Sequence, residues 1–403
     1  MKRLATIPYI GNTPSRGIKI DWKLVRKEYK KLKIPDCYYD PSQSPLESCK
    51  YFMVFSMRSV GKTTEVILLG MILWRLYGIK VQYIRQFESM IMPKTTRDLF
   101  SVIGDAQYGY IEKITDGEYN GVCYKSRRWF LCNYDEDGNV INICPEHFMF
   151  MASVDRADTY KSGYSAPEGD LIIYDECISR VYPPETDFCV FADLVKTIIR
   201  DRESPIIFLL ANTIDKEAPL YHELEIYEIV RDMLPGDNVT KTTELGTNIY
   251  IEYVSPDIKK RGVLQRVNQL FFGFKNKRLG SITGADWAIK PKPHIPKSLD
   301  GEVLHFVIQN LYIMYHGRYV KLDIVQHPRL GTCCYVHWAT KVYDDSIILT
   351  VEDITDERYY YGLGPRKLRI LLARLIEANK FYYASNDLAS FVATYINSIP
   401  DVV

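Results

Sequence analysis

Residues Val54–Leu69 read "VFSMRSVGKTTEVILL". The chain passes from an apolar run through Ser56, Met57, Arg58, Ser59, Val60, Gly61, Lys62, Thr63 and Thr64 into a second apolar run. Gly61-Lys62-Thr63 is the ending of a phosphate-binding loop, G-x-x-x-x-G-K-S/T, but Ser56 stands where the first glycine belongs. At average composition a bare G-K-S/T turns up in about one chain in five of this size, so its surroundings must decide. Upstream, "YFMVFS" (Tyr51–Ser56) reads as a buried strand. Downstream, "TTEVILLGMILWRLYG" reads as a helix that closes at Gly78. A loop between strand and helix brings successive backbone N–H groups and a helix N-terminus around phosphate oxygens. Residues 56 to 64 are then the nucleotide cradle, with Lys62 reaching the β- and γ-phosphates and the Thr63 hydroxyl a ligand of Mg²⁺. Serine is the mildest replacement for the missing glycine, being small and at ease in turns.

Two later runs extend the same site. "LIIYDE" (Leu171–Glu176) is a buried strand ending in two carboxylates. Asp175 is the candidate second Mg²⁺ ligand and Glu176 the candidate base for the water that attacks the γ-phosphate. Such a pair needs partners when buried; a strand end that reaches solvent is the plain alternative. "IIFLLANT" (Ile206–Thr213) ends in Asn212-Thr213, where Asn212 serves as a γ-phosphate sensor or as a simple turn former. "NTID" imitates the guanine-reading N-K-x-D, but Thr213 replaces its lysine, which favours ATP over GTP.

These runs, with "KVQYIR" and "FMFMAS", are apolar throughout and alternate with helix-length stretches. That pattern predicts an α/β fold with a mostly parallel sheet buried on both faces. Residues 117 to 145 read as inserted hairpins. The expected organisation is a basic N-terminal arm (1–50), a P-loop domain (51–255), a basic linker or lid (256–298) and a smaller α+β domain (299–403). The last shows four strand-like runs and two closing helices, "RKLRILLARLIEANK" and "DLASFVATYINSI".

Net charge is +1, so affinity for nucleic acid must come from a local patch. Lys259 to Lys297 supplies one: Lys259, Lys260, Arg261, Lys275, Lys277 and Arg278 among its ten cations, interleaved with Phe271, Phe272, Phe274 and Trp287. Such residues neutralise phosphates without reading sequence; a solvated linker is the alternative. The nine cysteines form no C-x-x-C pair, which suggests reduced, mostly buried thiols. The longest apolar run, Val66–Trp74, falls well short of the ~18 residues of a membrane span, and the start has no export-type apolar core. A soluble intracellular protein with no membrane partner is expected.

Phosphate loop, DE-terminated strand and polar-ended strand in this order resemble the additional-strand class of P-loop motor ATPases. They resemble most the DNA-packaging (encapsidation) ATPases of small podovirus-type tailed bacteriophages, relatives of the large terminases. Four stretches carry the resemblance: "SMRSVGKT" with Arg58 at its third position, "KVQYIRQ" with a strand ending in arginine, "YKSGYSAPEGDLIIYDE", and "TIIRDRESPIIFLLANT". They cover residues 51 to 220 well and the C-terminal half loosely.

The resemblance implies an ATP- and Mg²⁺-dependent motor that moves double-stranded DNA. It implies a homo-oligomeric ring, a pentamer, docked on the portal of a procapsid in the host cytoplasm, with a structural RNA as a further partner. Arg200 becomes the finger inserted into the neighbouring subunit's site, with Arg202 as second choice and Arg58 on the phosphates; Lys161 is a further candidate contact to nucleotide or DNA. It also implies a C-terminal domain like an RNase H-type nuclease, vestigial and non-cutting. Asp323, Asp353 and Asp387 are the acids an active version would use. The alternatives are a terminase with active nuclease, another nucleic-acid motor such as a helicase, and a non-hydrolysing nucleotide-binding structural module.

Overall fold

The structure is a computed structural model, and it describes residues 19–57, 59–161, 169–178, 186–200, 202–213, 216, 218–255, 305–315, 317–384 and 386–399. In chain order the elements of the first half are α1 (Trp22–Lys31), β1 (Tyr51–Ser56), α2 (Lys62–Tyr77), β2 (Val81–Arg85), α3 (Pro93–Thr96), α4 (Tyr110–Thr115), β3 (Gly121–Lys125), β4 (Arg128–Tyr134), β5 (Val140–Ser153), α5 (Ala157–Lys161), β6 (Leu171–Asp175), α6 (Thr186–Ile199) and β7 (Ile206–Asn212). Then come α7 (Pro219–Glu223), α8 (Tyr227–Asp232), β8 (Asn238–Thr242) and β9 (Asn248–Val254).

The apolar runs become the middle of one sheet, in the order β3-β4-β5-β2-β6-β7-β1-β9-β8. The six strands from β5 to β9 are all parallel, and antiparallel strands finish both edges. β1, β6 and β7 are buried along almost their whole length, as strands covered on both faces must be. β7 lies between β1 and β6, so the strand carrying the phosphate loop and the strand carrying Asp175 are separated by one added strand. This is the additional-strand arrangement that the motif order implied. α2 packs close to the sheet at Gly70, where a Cβ would stand 2.3 Å from Val81 Cγ2 and 3.0 Å from Leu171 Cδ2.

The basic stretch before β1 is an amphipathic helix packed on the domain. Asp21 caps α1 through Lys23 N and Leu24 N, and Val25 and Tyr29 are buried against α2. Tyr77 at the end of α2 accepts from Asp21 N at 3.0 Å, and Tyr29 donates to Glu65 in its first turn at 2.8 Å. The two helices therefore run antiparallel, with the C-terminal end of α1 beside the phosphate loop.

The described residues form two compact units. The first holds the large sheet. The second takes Lys216 to Arg231, with α7 and most of α8, together with the residues from His305 onward. Its strands are β10 (His305–Tyr315), β11 (Arg318–His327), β12 (Gly331–Trp338), β13 (Ile347–Thr350), β14 (Tyr359–Tyr361) and β15 (Phe381–Tyr383), with helices α9 (Arg366–Glu377) and α10 (Asn386–Asn397). They pair in the order β14-β13-β10-β11-β12-β15. β11 runs antiparallel to both β10 and β12, while β13 and β14 run parallel to β10. This mixed sheet forms a second, smaller sheet domain. Within this unit the Arg318 guanidinium lies over Trp338 at 4.1 Å, Tyr227 at 4.7 Å and Phe391 at 5.3 Å, tying the post-β7 segment to the C-terminal elements.

Candidate nucleotide site

Parallel strands deliver their C-terminal ends to one side of the sheet, and the predicted motifs meet there. β1 ends at Ser56, β6 at Asp175, β7 at Asn212 and β2 at Arg85. Ser59 to Thr64, Asp175, Glu176 and Leu210 to Asn212 line one cavity of about 240 Å³. Gly61 takes φ 78°, a left-handed conformation natural to glycine, and α2 begins at the next residue. Glu65 N then bonds to Gly61 O at 2.9 Å, which leaves the first N–H groups of α2 directed at the cavity.

Lys62 is buried, with its ammonium 2.6 Å from Ser56 Oγ and 3.4 Å from both Met57 O and Asn212 Oδ1. Burial pulls its pKa down from 10.5 to about 8, against the opposing pull of Asp175, Cys177 and Glu176. Ser56 itself donates to Met57 O at 2.6 Å. The serine at the glycine position thus gives the lysine an acceptor.

Thr63 donates to Asp175 Oδ1 at 2.9 Å. The other carboxylate oxygen takes Tyr83 OH at 2.6 Å and an Arg85 nitrogen at 2.9 Å. The second guanidinium nitrogen of Arg85 holds Glu176 at 2.7 Å. Glu176 sits at φ 53° just past the strand, half exposed at the cavity rim. A hydroxyl and a carboxylate side by side are the hard oxygen donors that Mg²⁺ prefers, so these residues fit the metal.

Arg85 and Tyr83 hold the carboxylates of this site, and motif reading did not assign them to it. Their signal was a strand ending in arginine; their role depends on β2 pairing with β6, which puts Tyr83 opposite Ile173 and Arg85 beside Asp175.

The remaining candidates fall elsewhere. Arg200 is exposed at the end of α6, six residues before β7 begins, and so belongs to the N-terminal side of the sheet. Seven residues of β7 at ~3.3 Å each put about 20 Å between that side and Asn212. Arg202 is buried in an ion pair with Asp170 at 2.6 Å and also donates to Ile198 O. Arg58 and the cations Lys259, Lys260, Arg261, Lys275, Lys277 and Arg278 lie outside the described residues. In the second unit, Asp323 is engaged by His337 at 2.8 Å and Lys321 at 3.1 Å. Among the described residues, no group of three or more His, Cys, Asp or Glu could hold a metal, and no helix is long and apolar enough to cross a membrane.

No known protein-family profile matches the chain, and no curated protein matches it in sequence. Solved structures do match in fold, two of them over almost their whole length. One is the Phi-28 gp11 DNA packaging motor, with a TM-score of 0.54 and 15% identity over 91% of this chain and 99% of that one. The other is the bacteriophage Phi-29 viral genome packaging motor assembly, with a TM-score of 0.51 and 14% identity over 90% of this chain and 99% of that one. The chain has the fold of the phage DNA-packaging motor ATPases, the family that its loop and strand motifs resemble.

Proposed function

We propose that this chain is an ATP-driven motor that moves double-stranded viral DNA into a preformed capsid, working as a ring of identical copies. The observation that carries the reading is the convergence of Lys62, Thr63, Asp175, Glu176 and Asn212 on one cavity at the ends of three adjacent strands. Thr63 and Asp175 would hold Mg²⁺, which would supply positive charge to offset that developing on the phosphate. The Lys62 ammonium exchanges Ser56 and Asn212 for phosphate oxygens, whose charge favours its protonated form. Glu176, freed from Arg85, orients the attacking water and takes its proton. Asn212, within reach of Lys62, contacts the γ-phosphate or that water.

Arg200 lies on the wrong side of its own sheet to serve its own cavity, which supports a finger acting on a neighbouring copy. The likeness to packaging motors supports a ring acting on DNA at a portal; a pentamer, a structural RNA as a further partner and action in the host cytoplasm are what the motif resemblance implies. For the C-terminal unit we propose a non-cutting role, since His337 and Lys321 occupy the Asp323 carboxylate that a two-metal nuclease would need free.

The test is Mg²⁺-dependent ATP hydrolysis with and without duplex DNA, for wild type and Glu176→Gln. The reading requires turnover that rises with duplex DNA and falls at least ~10²-fold in the variant. Stimulation by single strands alone points to a helicase instead. ATP binding without hydrolysis, with or without DNA, points to the non-hydrolysing module.

A further inference from the structure

β5 is longer than its parallel neighbour. Only Met149 to Ser153 pair with β2, so residues 140 to 147 run past the N-terminal ends of the parallel strands, paired with β4 on one side. The result is a hairpin arm. Its turn is braced by the Asp135 carboxylate, which accepts from Asp137 N and Asn139 N. Along it stand three exposed β-branched residues, Val140 (42% exposed), Ile141 (67%) and Ile143 (45%), and at its tip the exposed acids Glu136 and Asp137. An exposed apolar stripe marks a docking surface, and an acidic tip turns it away from DNA and towards protein.

The opposite side of the same sheet carries the complement. α1 ends there beside the phosphate loop, with Lys30, Lys31 and Lys33 exposed, and the exposed Tyr38 lies against Gly61. Phe87, exposed just past β2, adds apolar surface. The tip of the arm is acidic and apolar; the end of α1 is basic, with Lys31 paired to Glu28 and Lys30 and Lys33 exposed beside Tyr38. Arg200 lies on the side of the arm, and the nucleotide cavity lies on the side of the lysines.

We infer that the arm of one copy docks on the lysine-bearing end of α1 and the neighbouring Tyr38 of the next. The contact is head-to-tail, the kind that closes into rings. It also turns Arg200 towards the next copy's cavity. The inference rests on the ring reading above and adds to it the surfaces that meet.

The experiment is self-association of the full chain, followed by sedimentation across protein concentration, with circular dichroism to confirm folding. The variants are Glu136→Lys/Asp137→Lys, Lys30→Glu/Lys33→Glu, and the two sets combined; Ile141→Ser probes the apolar stripe. Each charge-reversed set should raise the concentration for half-assembly at least tenfold, the combination should return it to within threefold of wild type, and Ile141→Ser should weaken assembly. Folded variants that assemble like wild type would overturn the contact while leaving the ring intact. Failure of the combined variant to recover would overturn the pairing of these two surfaces. A wild type that stays monomeric at every concentration would remove the ring and the contact together.

Discussion

Arg85, the last residue of β2, holds Asp175 at 2.9 Å with one guanidinium nitrogen and Glu176 at 2.7 Å with another. One cation thus stands between the proposed metal-binding carboxylate and the proposed catalytic one. Removing it leaves Asp175, only 6% exposed, with two hydroxyls and the Glu176 backbone N–H but no cation in contact. Arg85→Met should lower stability by about 2–3 kcal/mol in EDTA, somewhat less than the loss of a fully buried partner. Mg²⁺ with nucleotide should recover most of that loss, because the metal replaces the missing charge. Thermal melts under both conditions test this; an equal drop in both would mean that Arg85 acts through packing alone.

Ser56 gives the buried Lys62 ammonium its shortest contact, 2.6 Å. Ser56→Ala removes that acceptor, and a buried charge short of a partner costs about 1–3 kcal/mol. Phosphate binding supplies the partner again. The variant should therefore melt earlier than wild type yet show a larger rise in Tm when ATP is added.

Glu65 is 3% exposed, and burial raises its pKa from 4.5 to about 8 even though Tyr29 donates to it. Between those two pH values the folded chain keeps a proton that the unfolded chain has lost, so stability falls as pH rises through the window. Glu65→Gln has no proton to lose and still accepts from Tyr29. Its Tm should match wild type near pH 5 and exceed it at pH 8. A constant difference across the range would rule out Glu65 as the titrating group.

Arg200 and Arg202, two residues apart, should behave oppositely. Arg202→Ala strips Asp170 of a buried partner and should cost about 3–5 kcal/mol of stability. Arg200→Ala removes an exposed side chain and should shift stability by no more than about 0.5 kcal/mol. It should nonetheless slow hydrolysis by about 10³-fold, the effect of a lost arginine finger. Mixing Arg200→Ala with Glu176→Gln chains should restore part of the activity, because each supplies what the other lacks. No recovery on mixing would mean that Arg200 does not act between copies.

The parts of this fold legible in the sequence were those written in contiguous residues. The strand–loop–helix from Tyr51 to Gly78 and the carboxylate ending of β6 each announce themselves locally, and the fold has both. What was not legible depends on which strands become neighbours. β9 lies beside β1 although almost two hundred residues separate them, and nothing in "NIYIEYV" names that partner. Arg85 looked like a strand end, yet its meaning comes from β2 lying against β6. The lysines of α1 suggested a basic arm, because charge is conspicuous in a sequence; the two inward residues that pack it on the domain, Val25 and Tyr29, are not.

β7 begins a few residues after Arg200 and finishes at Asn212. Its seven residues are locked by hydrogen bonds to β6 on one flank and β1 on the other. A strand so held cannot stretch; it can only shift as a rod. If Arg200 answers to the phosphate of an adjacent copy, a displacement there that reaches the start of β7 is carried along the strand to the phosphate of its own. Order of firing around a ring would then need no separate messenger, since the end of α6 and the strand that follows it serve two consecutive sites.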